Sequence, residues 1–218
     1  MVEIDLLANY PKSKRDLTGR NEVKTPAVQA IARQFGEEFF DGERLYGYGG
    51  FSYMSRFWQP VVPDIIKHFS LTEQSALLDV GCAKGFMLYD LLQALPRLDA
   101  RGVDISEYAV SHAKEEVKDR LNIACATSLP FEDNFFDSVI SINTIHNLEQ
   151  DQCAIALQEI ERVGKGNAFI TVDAFRNEKE EKRMYEWNLT AKTILHVDEW
   201  KAFFKKVGYS GDFHWFMP

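Results

Sequence analysis

Apolar residues recur along this chain with two different periods, and from about residue 75 onward the two alternate. Short apolar runs near 76–80, 100–104, 121–125, 137–142 and 167–173 have the length and composition of buried strands. Between them the spacing becomes that of a helix face: Leu88, Leu91, Leu92 and Leu95, then Val110, Ala113 and Val117, then Ala156, Ile160 and Val163. Strands alternating with helices predict an α/β fold, a mostly parallel sheet with helices on both faces. Further on, Asp198 is placed to cap a helix bearing Trp200, Phe203, Phe204 and Val207, and 209–216 reads as one last strand.

The first 70 residues follow a different pattern and read as an N-terminal extension and cap, ahead of one α/β domain over 71–218. Residues through about 22 show little periodicity and are expected to be flexible or to fold over a neighbour. Thr25 and Pro26 then open a helix whose apolar stripe is Val28, Ile31, Ala32, Phe35 and Phe39. A glycine- and aromatic-rich loop spans 41–58, and a short helix near 61–69 turns Val62, Ile65, Ile66 and Phe69 to one side.

A chain of 218 residues is the size of one ordinary domain and can bury a sizeable core. Its net charge of −8 argues against a nucleic-acid partner, because most of the surface would repel a phosphate backbone. Cys82, Cys125 and Cys153 suit neither a zinc pattern nor a complete disulfide framework, so no metal is expected and a reducing compartment fits. The first residues carry acids where a signal peptide needs positive charge, and no apolar run reaches the length of a membrane span. A soluble cytoplasmic protein with no membrane partner is the expectation.

The chemistry centres on LLDVGCAKGFM, residues 77–87, where a strand ends in Asp79 and Gly81 and Gly85 follow before a helix. Such a loop lets a ligand approach the backbone, and the new helix presents unpaired N–H groups to it. A dinucleotide cradle would put glycines at Gly81, Ala83 and Phe86, and phenylalanine is too large for the third. A second acid, Asp104, ends the next strand 25 residues after Asp79, where a carboxylate can accept hydrogen bonds from ribose hydroxyls. Two strand-end acids flanking a glycine loop support a nucleoside ligand without choosing one, and ordinary loop capping is the plain alternative for each.

The spacing Asp79, Gly81, Gly85 resembles the first motif of class I S-adenosylmethionine-dependent methyltransferases, with Ala83 standing where the family has its middle glycine. The block SLPFEDNFFD, residues 128–137, resembles the LPF…FD block of the subgroup that includes ubiquinone and menaquinone C-methyltransferases, and 159–173 is similar to its helix, turn and fifth strand. The resemblance covers roughly residues 75–175. It implies a Rossmann-like sheet closing with two strands, the final one antiparallel, of which the chain shows only one.

It also implies S-adenosylmethionine as cofactor. Gly81, Cys82, Ala83 and Gly85 would form the loop beneath its methionine part with Asp79 assisting, Asp104 would take the ribose, and Ile105 would pack on adenine. Where the family often has an acid for the adenine amino group this chain has 125–127, leaving adenine to the backbone of Ala126 and Thr127 or to the Ser128 hydroxyl, and Asn143 lies at the end of the fourth strand. His146 follows in that loop, where ligands bind in open α/β sheets, with the ordinary pKa of a general base. A histidine that packs or caps the loop is an equal alternative.

From two cover segments, the 41–58 loop and an insertion between Phe175 and His196, Tyr46, Tyr48, Tyr53, Arg56 and Trp187 are candidates for the acceptor side, with Arg44, Thr190 and His196 near them. Aromatic faces can line a pocket or meet a sulfonium, and guanidinium can grip a carboxylate or phosphate. Pinning aromatics to the sheet and solvating arginines are the simpler uses of the same residues. The function expected is methyl transfer to a small molecule, with a sugar or related metabolite as the candidate class, against an NAD(P) oxidoreductase or a non-catalytic nucleoside binder of the same fold.

Overall fold

The computed structural model describes residues 1–12, 15–49 and 52–218. Among them are seven strands: β1 (Ala76–Val80), β2 (Asp99–Asp104), β3 (Leu121–Ile123), β4 (Ser138–Ile142), β5 (Ala168–Phe175), β6 (Leu195–His196) and β7 (Asp212–Phe216). They lie in the order β3-β2-β1-β4-β5, with β7 along β5 and β6 paired only to Ala174 and Phe175. Helices α1 (Leu17–Val23), α2 (Pro26–Ala32), α3 (Glu37–Phe40), α4 (Ser55–Trp58) and α5 (Val62–Phe69) precede the sheet. Its connections carry α6 (Phe86–Ala94), α7 (Glu107–Ser111), α8 (Gln150–Val163), α9 (Glu178–Trp187) and α10 (Val197–Val207).

The strands read as unbroken apolar runs because both faces of the sheet are covered. On one face Ala156, Leu157 and Ile160 of α8 pack with Leu78, Val139, Ile170 and Val172. On the other, Val62 and Ile65 of α5 and Leu88 and Leu91 of α6 pack with Leu77, Ile140 and Phe169. Each of these Val, Leu, Ile and Phe side chains, fully buried, stabilises the fold by about 1.5–3 kcal/mol relative to exposure.

Several elements depart from the sequence pattern. The stripe from Val28 to Phe39 is broken: α2 stops at Ala32, Phe35 takes a left-handed φ of 50°, and Gly36 starts α3. The break lets the Phe35 carbonyl accept a hydrogen bond from the Ser106 hydroxyl, at 2.5 Å. The Val110–Val117 spacing covers α7 and a separate 3-10 turn, Glu115–Arg120, and β3 ends at Ile123. His196, not Asp198, caps α10, exchanging bonds with Asp198 N–H and, through its own N–H, with Glu199.

The closing of the sheet differs from the family expectation. The penultimate strand forms as the two residues of β6, and β7 pairs directly and in parallel with β5, so all the ladders run parallel. Helix α10 is the crossover that returns the chain in that direction. The outer edge of β7 is not bare: Ile4 N–H donates to Phe213 O and Phe213 N–H to Val2 O. No helix among the described residues is long and apolar enough to cross a membrane.

Candidate functional site

Acids end apolar stretches at one end of the sheet: Asp79 on β1, Asp104 on β2 and Asp173 on β5. A cavity of about 840 Å³ opens there. It reaches from the loop after β1, Asp79 and Gly81 to Lys84, past Asn143, His146 and Asn147 to Thr171, Asp173, Trp215 and Phe216.

The glycine loop is shaped by close packing inside the protein. Gly81, Ala83 and Gly85 all have positive φ, at 87°, 48° and 73°, and Gly81 and Cys82 both donate N–H to Val103 O. A Cβ at Gly81 would lie 2.0 Å from Thr144 Oγ1, and one at Gly85 2.8 Å from Val117 Cγ2. Gly81 is therefore needed by the close approach of Thr144 after β4, in addition to any clearance it gives a ligand. Gly81→Val should cost at least about 2 kcal/mol of stability through overpacking and a strained φ, a loss that chemical denaturation will measure. Ala83 tolerates the left-handed position at about 1–2 kcal/mol, and its N–H is held by Asp104 Oδ2 at 2.8 Å.

Asp79 is buried, and among the described residues nothing donates a hydrogen bond to its carboxylate. Burial, with the nearby Asp104 charge, pushes its pKa up to about 8. Asp104 is also raised by burial, but the N–H groups of Ser106 and Ala83 oppose that shift. Its carboxylate joins the two loops while keeping lone pairs for further donors.

His146 lies in a short 3-10 turn after β4, buried, with Nδ1 accepting the Asp173 N–H at 2.9 Å. That bond leaves the proton on Nε2, which faces Asp173 Oδ1 at 3.5 Å. The expected ordinary imidazole pKa does not hold: burial lowers it to about 3, so His146 is a neutral N–H donor. Burial raises Asp173 to about 8, with Arg15 pulling the other way. Asn143 adopts φ 52°, and its side-chain oxygen accepts from Thr171 Oγ1 at 2.9 Å.

The two covers are joined into one. Tyr48 Oη accepts the N–H groups of Leu189 and Thr190, and Arg33 donates to the Thr190 and Ala191 carbonyls. Arg20 donates to the carbonyls of Leu45 and Gly47 and lies over the Tyr48 and Trp187 rings. Lys84 reaches from the glycine loop to Asp41, which also accepts from Tyr108.

Of the residues singled out from sequence, the cavity brings together Asp79, Gly81, Cys82, Ala83, Asn143, His146, Tyr48 and Trp187, with Arg44 and Thr190. Others lie outside its lining. Gly85 serves as the N-cap of α6; Asp104, half-exposed Ile105, Ala126 and Thr127 sit beyond the loop at the ends of β2 and β3. Tyr46 packs with Val28, Ala32 and Leu189, Tyr53 donates to Asp90 on α6, Arg56 lies over Phe57, and His196 caps α10. Asp173, Thr171 and Arg15 went unremarked; an acid finishing an apolar strand, as at Asp79 and Asp104, was the available signal for Asp173.

The 128–137 block has a structural role. Arg162 donates to the carbonyls of Leu129 and Phe131 and pairs with Glu159 and Asp133, fixing the loop before β4.

Residues 78–172 match a family profile described as a methyltransferase domain. A tRNA (carboxymethyluridine(34)-5-O)-methyltransferase of Arabidopsis thaliana is 31% identical over 133 residues, 60% of this chain. The chain spans 31% of that relative's length. The crystal structure of MccD protein is 27% identical with a TM-score of 0.53, covering 66% of this chain and 68% of the other. A SAM-dependent methyltransferase from Aquifex aeolicus shares the fold at 20% identity, with a TM-score of 0.50 and 89% of each chain covered.

Proposed function

We propose that residues 78–172, which match a methyltransferase-domain profile, form a class I S-adenosylmethionine-dependent methyltransferase domain, and that this protein methylates a small polar molecule, a sugar or related metabolite. The observation that carries this is the cavity, which runs from the glycine loop to the ends of β4 and β5 beneath Tyr48 and Trp187. An acceptor there must fit under a cover of aromatic side chains, which together with the net charge of −8 favours a small molecule over nucleic acid. The 128–137 block supports placing the domain with the ubiquinone and menaquinone methyltransferases.

The chain fits its cofactor by charge. Asp79 is a buried carboxylate lacking a protein donor, a costly state that a bound cation relieves. In this reading Asp79, Gly81, Cys82, Ala83, Gly85 and Asn143 hold the methionine part, Asp104 the ribose, and Ile105, Ala126 and Thr127 the adenine. When bound, S-adenosylmethionine supplies an electrophilic methyl on a sulfonium that leaves as a neutral thioether.

The protein supplies proximity and, for an O–H acceptor, a proton sink. Asp173 in its ionised form takes the acceptor proton, and His146, locked as the Nε2–H tautomer by the Asp173 N–H, donates to the Asp173 carboxylate or to the acceptor oxygen. Tyr48 and Trp187 exclude water from above.

Calorimetric titration of the intact chain will show saturable heat with S-adenosylhomocysteine and none with NAD. Heat with NAD alone would overturn the reading. A metabolite panel with S-adenosylmethionine, read by mass spectrometry for a gain of one methyl, then identifies the acceptor.

A further inference from the structure

The cations that line the cavity are used differently. Arg44 donates to the Tyr48 carbonyl, Lys84 is paired with Asp41, and Lys12 is exposed to solvent. Arg15 instead places its guanidinium carbon 4.7 Å from the Phe216 ring centre and 5.6 Å from that of Trp187, and all three side chains line the cavity. Among the described residues no carboxylate pairs with Arg15 and none of its N–H groups is hydrogen-bonded. A guanidinium whose N–H groups are unbonded keeps its planar fork available, and that fork matches the two oxygens of an oxyanion.

The surroundings are electrostatically unfinished. Partial burial, with Arg183 nearby, lowers the Arg15 pKa, and Asp173 opposes this without forming an ion pair. Arginine stays charged regardless, so a partly desolvated cation stands without a counter-charge in contact. Its place is also separate from the cofactor end. The glycine loop follows β1 and Phe216 ends β7, with β4 and β5 between them, a separation of about 14 Å across three strand spacings.

We propose that Arg15, held between Trp187 and Phe216, anchors the acceptor, and that the acceptor carries an oxyanion, a carboxylate or a phosphate, seated in this fork. The inference rests on the methyl-transfer reading of the same cavity and deepens it by naming the substrate's charge. The anchored end points away from the glycine loop, and the group to be methylated faces His146 and Asp173. An uncharged sugar would leave the fork empty; a sugar phosphate or sugar acid fills it.

The test uses the full chain and two probes, inorganic phosphate and acetate, with glycerol as the uncharged control. Each is titrated with and without saturating S-adenosylhomocysteine, following tryptophan fluorescence and heat. At least one anion will bind the native chain in the millimolar range, glycerol will not, and the stronger anion tells phosphate from carboxylate recognition. Arg15→Gln will weaken that anion at least tenfold, Arg15→Lys less, and both variants will keep native affinity for S-adenosylhomocysteine, which also reports that they fold. Equal anion affinity in native chain and Arg15→Gln, or no binding of either anion to the native chain, would overturn the proposal. Loss of S-adenosylhomocysteine binding by the native chain would instead sink the methyl-transfer reading and leave the anion result legible.

Discussion

Asp173→Asn will lower turnover by about 10²–10⁴-fold at saturating acceptor, the range for removing a general base, while affinity for S-adenosylhomocysteine stays within a few-fold. The amide keeps the shape of the carboxylate and cannot take a proton. Because burial holds Asp173 near 8, the active ionised form grows as pH rises, so kcat will climb between about pH 7 and 9 in the native enzyme. No fall tied to imidazole protonation is expected near pH 6, since His146 titrates near 3. His146→Ala will cost less than Asp173→Asn, and a stopped-flow or steady-state comparison of the two pH profiles separates their roles. Native turnover in Asp173→Asn would mean that the acceptor loses no proton to this chain.

Asp104→Ala will weaken S-adenosylhomocysteine by about 1.5–3 kcal/mol, or 10- to 150-fold, the range for hydrogen bonds to a charged acceptor. The same substitution strips acceptors from the N–H groups of Ala83 and Ser106, so the melting temperature of the ligand-free chain will fall as well. Asp104→Asn retains one acceptor oxygen and will recover part of the stability. Calorimetry on all three proteins at one pH checks both effects, and unchanged affinity in the alanine variant would remove Asp104 from the ribose site.

What the sequence made legible follows from burial. β1, β4 and β5 are covered on both faces and leave apolar runs that nothing else explains, and the glycine loop is marked by residues chosen for positive φ. Ala83, which stands where the resemblance puts the family's middle glycine, takes a left-handed φ of 48°. The cover was not legible in the same way. Tyr46, Tyr48 and Tyr53 look alike in a glycine-rich loop, and only their distant partners, Leu189 and Thr190 for Tyr48 and Asp90 for Tyr53, decide which faces the cavity. Arg15 lies in a stretch without periodicity, and its partners Trp187 and Phe216 are more than 170 residues away. The pKa values of His146 and Asp173 were invisible for the same reason, because desolvation belongs to the whole fold and not to the residue.

The parallel pairing of β7, edged by residues 2–4, bears on how the chain reaches this state. Contacts between Val2 or Ile4 and Phe213 close a loop of about 210 residues, and such closures carry an entropy cost that only an already assembled sheet can offset. Assembly can begin with β1, β2 and β4, whose ladders join nearer parts of the chain. The β7 edge is then the last to be covered, and until residues 2–4 dock it presents open hydrogen-bonding groups beside Phe213 and Trp215. Residues 2–4 thus guard the β7 edge against edge-to-edge association.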